Sequence, residues 1–284
     1  MGYLSSLFFL LPVPLFAQEI SDSEQVSKYV RPKYCELGAG LNISQFRDFA
    51  TSPLVYSGGA GQFTLGIIRK DERVESNFSF RFSSGIYGTD ADRREQTPGV
   101  VNSVFFSYGR LYTIKSLSAG KWNTKVGGKI DVTGNLRQNK YLLNAGNGIE
   151  SFQTLFASAK VTRDISRENM KNKKFLFVRY KLKPKKRELS FQVNPSVLNS
   201  TYRNGFAYID QASVTGSNNA FEDYKFSAFS GFRINTALEL TRYLKNGNGV
   251  KYSYIWDAYK TGGELPRFEM SHHIFQLSLL FRIK

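Results

Sequence analysis

The stretch Ser271–Lys284, with the sequence SHHIFQLSLLFRIK, decides the fold class. Its large apolar side chains share one parity, namely Phe275, Leu277, Leu279, Phe281 and Ile283. Polar side chains take the other parity, namely Gln276, Ser278, Arg282 and Lys284. Because side chains alternate between two faces along a strand, this pattern predicts a strand with one apolar and one polar face. An ordinary strand has about five or six residues, whereas a tilted strand that crosses a bilayer needs about 9 to 11. This stretch is long enough to cross.

The same long alternation recurs along the chain, which disfavours the alternative that Ser271–Lys284 is the last strand of a soluble β-sandwich. The clearest copy lies in 74–87, where Phe78, Phe80 and Phe82 alternate with Ser79, Arg81 and Ser83. Segment 175–183 is predicted as a strand with Leu176, Val178, Tyr180 and Leu182 outward and Arg179, Lys181 and Lys183 inward, and 224–243 is predicted as one long strand. Asn194-Pro195-Ser196 is predicted to interrupt the chain, since proline cannot donate to a strand ladder.

The long, aromatic final strand, at the end of a chain rich in Tyr and Phe, resembles the C-terminal assembly signal of bacterial outer-membrane β-barrels. This chain differs in ending on Phe281-Arg282-Ile283-Lys284 rather than on an aromatic residue. The resemblance implies one all-β, up-and-down antiparallel transmembrane barrel. It also implies the outer membrane of a Gram-negative bacterium as the location and the barrel-assembly machinery as a partner.

The strand pattern predicts about 12 strands, or 10 if the weak ones merge, and an even count returns the C-terminus to the side of the N-terminus. An open sheet in lipid would leave unpaired backbone groups at its edges, so the sheet must close. The barrel is expected to cover 34–284, after a polar lead-in over 19–33. Residues 1–18 are apolar and end in Ala17-Gln18, which indicates a cleaved secretory signal peptide.

Composition agrees with a barrel and weakens the case for nucleic acid as a partner. Aromatic residues make up 15% of the chain, as lipid-facing bands and interfacial girdles require. The formal net charge is +16, which raises nucleic acid and anionic membranes as partners. The positive residues are spread through strands and turns without a basic helix or an RNA-binding motif, so no nucleic-acid partner is predicted. A basic lumen or an anionic lipid surface explains the charge better.

The polar parity of each strand should line the barrel interior. The basic residues predicted there are Arg81, Lys121, Lys125, Lys129, Arg179, Lys181, Arg233 and Lys251. A ring of such side chains would favour anions in a pore. The alternative is that the charges pair and fill a narrow interior, because a barrel of roughly 8 strands is filled by side chains and one of 16 to 18 leaves a channel.

Candidate catalytic residues are few. His272 and His273 are adjacent, and Ser271 and Asp257 could lie near them at the barrel rim. A hydroxyl, a histidine base and an acid within hydrogen-bond reach are what a rim-active lipid hydrolase or acyltransferase needs. A polar interfacial girdle explains the same residues without catalysis. Two histidines alone do not make a metal site, and no cofactor is predicted.

Three functions follow from these observations. The leading one is a small porin or accessory barrel with a basic, anion-favouring lumen. The second is a non-conducting barrel that acts as a partner in a cell-surface assembly, and the third is the rim-active enzyme. Outer-membrane lipid and lipopolysaccharide are expected contacts, and another outer-membrane protein is a possible partner.

Overall fold

A computed structural model describes residues 31–89, 98–139, 147–204 and 224–283, so the predictions for the signal peptide and for 19–30 lie outside the described residues. The strands are β1 Lys33–Asp48, β2 Ser52–Lys70, β3 Val74–Gly88, β4 Gly99–Thr113, β5 Trp122–Gln138, β6 Asn147–Asp164, β7 Lys171–Phe175, β8 Val178–Leu182, β9 Arg187–Asn204, β10 Tyr224–Ser227, β11 Phe232–Tyr243, β12 Gly249–Lys260 and β13 Phe268–Ile283. A short 3-10 turn, Lys115–Leu117, lies between β4 and β5. Among the described residues, no helix has the length and apolarity to cross a membrane.

Ten of these strands close into one antiparallel barrel, the lower of the two predicted counts. From β1 to β6, each strand pairs with the next one in the chain. Strand β6 then pairs with β9, β9 with β11, β11 with β12, and β12 with β13. Pairing of β13 with β1 closes the ring, with a register that runs unbroken from Lys33 opposite Ile283 to Asp48 opposite Phe268. Every barrel strand therefore has two neighbours, so the backbone leaves no open edge to lipid.

The barrel wall is apolar outside and polar inside. On β13 the outward Phe275, Leu277 and Leu279 are 52%, 48% and 43% exposed, whereas the inward Gln276 and Ser278 are 7% and 0% exposed. The other barrel strands repeat this alternation, with Asn, Ser, Thr and charged residues buried inside. A soluble barrel has the reverse polarity, so the wall is built to face lipid.

An arginine on the lipid face tests this polarity. Leu277→Arg should destabilise the barrel by about 2–4 kcal/mol, because a charged side chain near the bilayer midplane loses its hydration. Urea unfolding in lipid vesicles measures the change. Leu244→Arg is the control, since Leu244 is also exposed but lies in the turn between β11 and β12. Equal effects of the two substitutions would contradict the lipid-facing assignment of Leu277.

The predicted break at Asn194-Pro195-Ser196 is wrong, because β9 continues through it. Pro195 faces Ile234 of β11. On the other side, the β6–β9 register shifts between Leu155 and Phe156, so that Val197 is an extra residue. Beyond this bulge, the β6–β9 pairing also skips Pro195, so on that side the ladder needs no N–H group from the proline.

Two other predicted strands also differ from the structure. Segment 175–183 is not a barrel strand: β8 pairs only with β7, in a separate two-stranded sheet. Segment 224–243 divides into β10 and β11. Gly231, between them, has φ +84°, and an added Cβ there would lie 2.4 Å from the carbonyl oxygen of Lys260. Only glycine fits this conformation and close approach, so the strand is interrupted at that point.

The two ends of the barrel differ in their connections. We call the end where β1 begins and β13 ends the terminal end, and the other the opposite end. The terminal end carries the connections 71–73, 114–121, 165–186 and 244–248. The described connections of the opposite end include 49–51, 228–231 and 261–267.

Candidate functional site: the barrel interior and the terminal end

Aromatic side chains fill the barrel at the opposite end. We call the buried cluster Phe46, Tyr56, Tyr87, Val101, Phe152, Tyr259, Phe268 and Met270 the aromatic plug. Its rings pack against one another: Phe46 stacks on Tyr56 with centroids 5.0 Å apart, and Phe152 stacks on Phe268 at 5.7 Å. Phe268 is completely buried. The plug therefore packs apolar side chains into the interior of the barrel at this end.

Charged side chains connect the aromatic plug to the barrel wall through hydrogen bonds and cation–π contacts. Asp48, at the end of β1, is fully buried and accepts hydrogen bonds from Arg137 of β5 and Arg203 of β9, the latter at 2.7 Å. Arg137 also bonds Glu150. The guanidinium carbons of Arg137 and Arg203 lie 5.1 and 5.4 Å from the centroid of the Phe268 ring, within the range of a cation–π contact. These four charged residues thus join β1, β5, β6 and β9 across the barrel.

A second charged layer lies on the terminal-end side of the aromatic plug. Arg233 of β11 makes two hydrogen bonds to Asp257 of β12, at 2.9 and 2.6 Å, and one to Thr133 of β5 at 3.0 Å. Lys129 lies 2.9 Å from Asp131. Bidentate arginine–carboxylate pairs are among the strongest polar contacts in proteins. This layer therefore crosses the barrel from β5 to β11 and β12.

A third layer faces the terminal end and lines a cavity of about 120 Å³. Lys160 lies 2.7 Å from Glu75 and 3.0 Å from Glu239. Lys251 lies 2.8 Å from Glu36. The carboxylates of this layer are therefore shared among lysines of β6 and β12, and a polar cavity lies between them.

The interior is nearly balanced in charge, unlike the basic lumen that was predicted. Among the described residues, six acidic and seven basic side chains are buried inside. The prediction missed Glu36, Asp48, Glu75 and Glu150, which neutralise most of the bases. Their positions could have been noticed, because each acid shares a parity with small polar residues of its strand, as Glu36 does with Asn42 and Ser44.

The structure places the predicted lumen residues in three environments. The side chains of Arg81, Lys125, Lys129, Arg233 and Lys251 lie inside the barrel. Lys121 is exposed in the turn that precedes β5, and Lys181 is exposed on β8. Arg179 also belongs to β8. The prediction for these last three residues is corrected, because Lys121 lies outside a strand and β8 is not part of the barrel wall.

The candidate catalytic residues are separated by the wall. His272 and Asp257 point inward, where His272 contacts the amide of Asn42 at 3.1 Å and Asp257 is paired with Arg233. His273 points outward and lies 2.8 Å from the hydroxyl of Tyr254. Ser271 shares the outward parity and accepts a hydrogen bond from the indole of Trp256 at 3.2 Å. Ser271 and His273 lie on the outward face, whereas Asp257 lies on the inward face, so the structure does not bring a serine, a histidine and this acid together as the expected relay requires.

A basic ribbon extends from the terminal end. We give this name to 165–186, the connection between β6 and β9. Backbone hydrogen bonds between Arg167 and Lys185, both 2.9 Å long, continue the pairing of the two strands, and the β7–β8 hairpin follows. At its tip Leu176 and Phe177 are 70% and 86% exposed.

The basic ribbon concentrates positive charge. It holds nine Lys and Arg residues and one acid, Glu168, so it contributes +8 of the +16 net charge. Repulsion from Arg242, with smaller effects of partial burial and of Arg187 and Arg167, lowers the pKa of the Lys185 amine from its ordinary value. The bases at this end therefore lie close enough to repel one another.

Charge is segregated between the two ends of the barrel. Among the described residues, the connections at the terminal end hold thirteen basic and three acidic residues, and those at the opposite end hold one basic residue and one acidic residue. Within the described part of the chain, the connections at the terminal end therefore carry a large excess of positive charge.

No protein-family model matches the sequence, and no curated protein matches it. Among solved structures, the chain is similar to the transport unit of the autotransporter AIDA-I from Escherichia coli, with 7% identity, 95% of this chain and 94% of that chain covered, and a TM-score of 0.46. It is also similar to the translocator domain of autotransporter NalP from Neisseria meningitidis, with 9% identity, 89% and 88% covered, and a TM-score of 0.38. A FadL homologue from Pseudomonas aeruginosa matches with 8% identity, 88% and 90% covered, and a TM-score of 0.30.

The strand order and the polarity of the wall define the fold without these similarities. Ten antiparallel strands close on themselves, apolar side chains cover the outside, and ion pairs and aromatic rings fill the inside. Only a closed barrel lets strands cross a bilayer with all backbone groups paired. The chain therefore folds as a transmembrane β-barrel of the bacterial outer-membrane type.

Proposed function

We propose that this protein is a non-conducting barrel in the outer membrane of a Gram-negative bacterium, which anchors the basic ribbon for binding to an acidic partner protein. The segregation of charge carries this proposal, because half of the net charge lies in one connection at the terminal end. An even strand count puts both ends of the barrel sequence on the same side of the membrane, which in such barrels is the periplasmic side.

The filled interior supports a barrel that does not conduct. The interior contains the aromatic plug, the ion pairs of Asp48 with Arg137 and Arg203, and the Arg233–Asp257 pair. Barrels of roughly 8 strands are filled by side chains, and barrels of 16 to 18 strands contain channels. With ten strands and a balanced interior, the closed form agrees better with the geometry than an anion-selective porin does.

The basic ribbon and its tip support an acidic protein as the partner. Lys183 and Lys186 are exposed near the base of the ribbon, and Phe177 is an exposed apolar side chain at its tip. Interfaces commonly combine a buried aromatic anchor with charged groups that speed association. The proposed location implies three further contacts: outer-membrane lipid around the wall, lipopolysaccharide, and the barrel-assembly machinery that inserts the protein.

Photo-cross-linking in living cells tests the proposal. A photoreactive phenylalanine analogue at position 177 should yield a discrete cross-linked protein. Combining it with Lys183→Gln, Lys185→Gln and Lys186→Gln should weaken the cross-link several-fold, because three of the attracting charges are gone. The matched control removes three positive charges near the opposite end, with Arg47→Gln, Lys260→Gln and Arg267→Gln, and should keep it. An equal yield in both triple variants, or no discrete product, would overturn the role of the ribbon.

A further inference from the structure

Arg81 differs from the other buried bases in the described part of the barrel. Each of the other six, Lys125, Arg137, Lys160, Arg203, Arg233 and Lys251, has a carboxylate oxygen within 4.0 Å. Arg81 has none among the described residues, although it is only 5% exposed. A buried charge without a counter-ion is unfavourable, so this guanidinium needs a partner from outside the described chain.

The guanidinium of Arg81 lines the cavity between the second and third charged layers. Its central carbon lies 4.8 Å from the centroid of the Phe105 ring, and its Nη1 atom is buried without a hydrogen-bond partner among the described residues. The ring holds the arginine from one face but supplies no acceptor for its N–H groups. These donors are therefore available to a molecule in the cavity.

The carboxylates of Asp131 and Asp257 each lie within ion-pair distance of another base. Asp257 is paired with Arg233, and Asp131 lies 2.9 Å from Lys129. On the terminal side of the cavity, Glu36 and Glu239 are paired with Lys251 and Lys160. The local excess of positive charge therefore remains at Arg81.

Neutral donors line the same cavity. The amide nitrogen of Asn235 and the hydroxyl of Ser107 are buried without hydrogen-bond partners among the described residues. The lining extends from Arg81 to Lys70 and Tyr243 near the terminal end. A fork of arginine donors with an amide and a hydroxyl suits the oxygens of a carboxylate or phosphate.

We propose that this cavity is a binding site for a small oxyanion, a carboxylate or phosphate group, with Arg81 as its main ligand. The volume of about 120 Å³ admits an inorganic ion or a short carboxylate but not a folded chain or a sugar polymer. The site goes beyond the proposed function, since it depends on neither the basic ribbon nor its partner. The bound anion completes the pairing of charges in the barrel.

Thermal unfolding of the full barrel in lipid nanodiscs tests the site, with phosphate or acetate added at constant ionic strength. A ligand that binds only the folded state raises the unfolding midpoint as its concentration rises. We expect this rise for the wild-type protein with at least one of the two oxyanions, and its loss in Arg81→Gln. Arg163→Gln, which removes a charge from the exposed surface, should keep it.

The ligand-free comparison separates a binding role from a structural one. Without oxyanion, Arg81→Gln should be at least as stable as the wild type, because the substitution removes an unpaired buried charge. A large loss of stability in Arg81→Gln without oxyanion would mean that an internal partner holds Arg81, and would overturn the proposal. An equal rise of the midpoint with chloride, no rise with phosphate or acetate, or the same rise in Arg81→Gln would overturn it as well.

Discussion

Asp48→Asn should destabilise the barrel by about 3–5 kcal/mol, the usual cost of breaking a buried ion pair by removing one partner. Asp48 is fully buried and accepts hydrogen bonds from both Arg137 and Arg203. Arg137 keeps Glu150 as a partner after the substitution. Arg203 loses its carboxylate, and two of its nitrogen atoms already lack partners among the described residues, so its charge would be left uncompensated.

Equilibrium unfolding by urea in lipid vesicles measures this loss. Glu269→Gln is the control, because Glu269 pairs with Arg267 at 2.9 Å on an exposed surface of the same end. Exposed pairs contribute about 0–1 kcal/mol, so this variant should unfold close to the wild type. If Asp48→Asn and Glu269→Gln unfolded at the same urea concentration, the ion pairs of Asp48 would not stabilise the aromatic plug.

Phe268→Ala should have the second large effect, again about 3–5 kcal/mol, because it removes a fully buried ring and leaves a cavity. The ring stacks on Phe152 and lies beside the guanidinium groups of Arg137 and Arg203. Its loss therefore removes packing within the aromatic plug and the cation–π contacts that stabilise two buried charges.

The matched control is Phe281→Ala, on the same strand but facing lipid, where Phe281 is 43% exposed. Lipid tails can fill the space left by a lipid-facing ring, so this variant should lose less stability. Urea unfolding measures the stability of both variants, and heat-modifiable gel migration shows whether each one is folded. A greater loss in Phe281→Ala than in Phe268→Ala would show that the ring of Phe268 does not pack inside the barrel.

The wall of the barrel could be predicted from the sequence because its signal is local. Alternation along Ser271–Lys284 and around Phe78–Arg81 is read within one strand, and closure follows from backbone pairing in lipid. The number of strands does not follow from local patterns, since Pro195 and Gly231 act through the pairing of distant strands. From the sequence alone, Pro195 predicts a strand break. The structure shows that the hydrogen-bond ladder between β6 and β9 already skips this position.

The interior could not be predicted to the same extent, because its contacts join residues far apart in the chain. Arg203 meets Asp48 across 155 positions and Lys251 meets Glu36 across 215, so no local pattern shows that these charges cancel. The aromatic plug had a visible sign, however. Phe46 follows Asn42 and Ser44 on the polar parity of β1, and a large ring on that parity indicates a filled lumen.

The measurement that tests the account most directly is the conductance of the folded barrel in a planar bilayer with a salt gradient. Circular dichroism should first establish that the inserted protein is folded β structure. The aromatic plug and the charged layers predict no steady conductance. Steady channels would contradict a closed barrel, and a reversal potential that favours chloride would support an anion-selective porin instead.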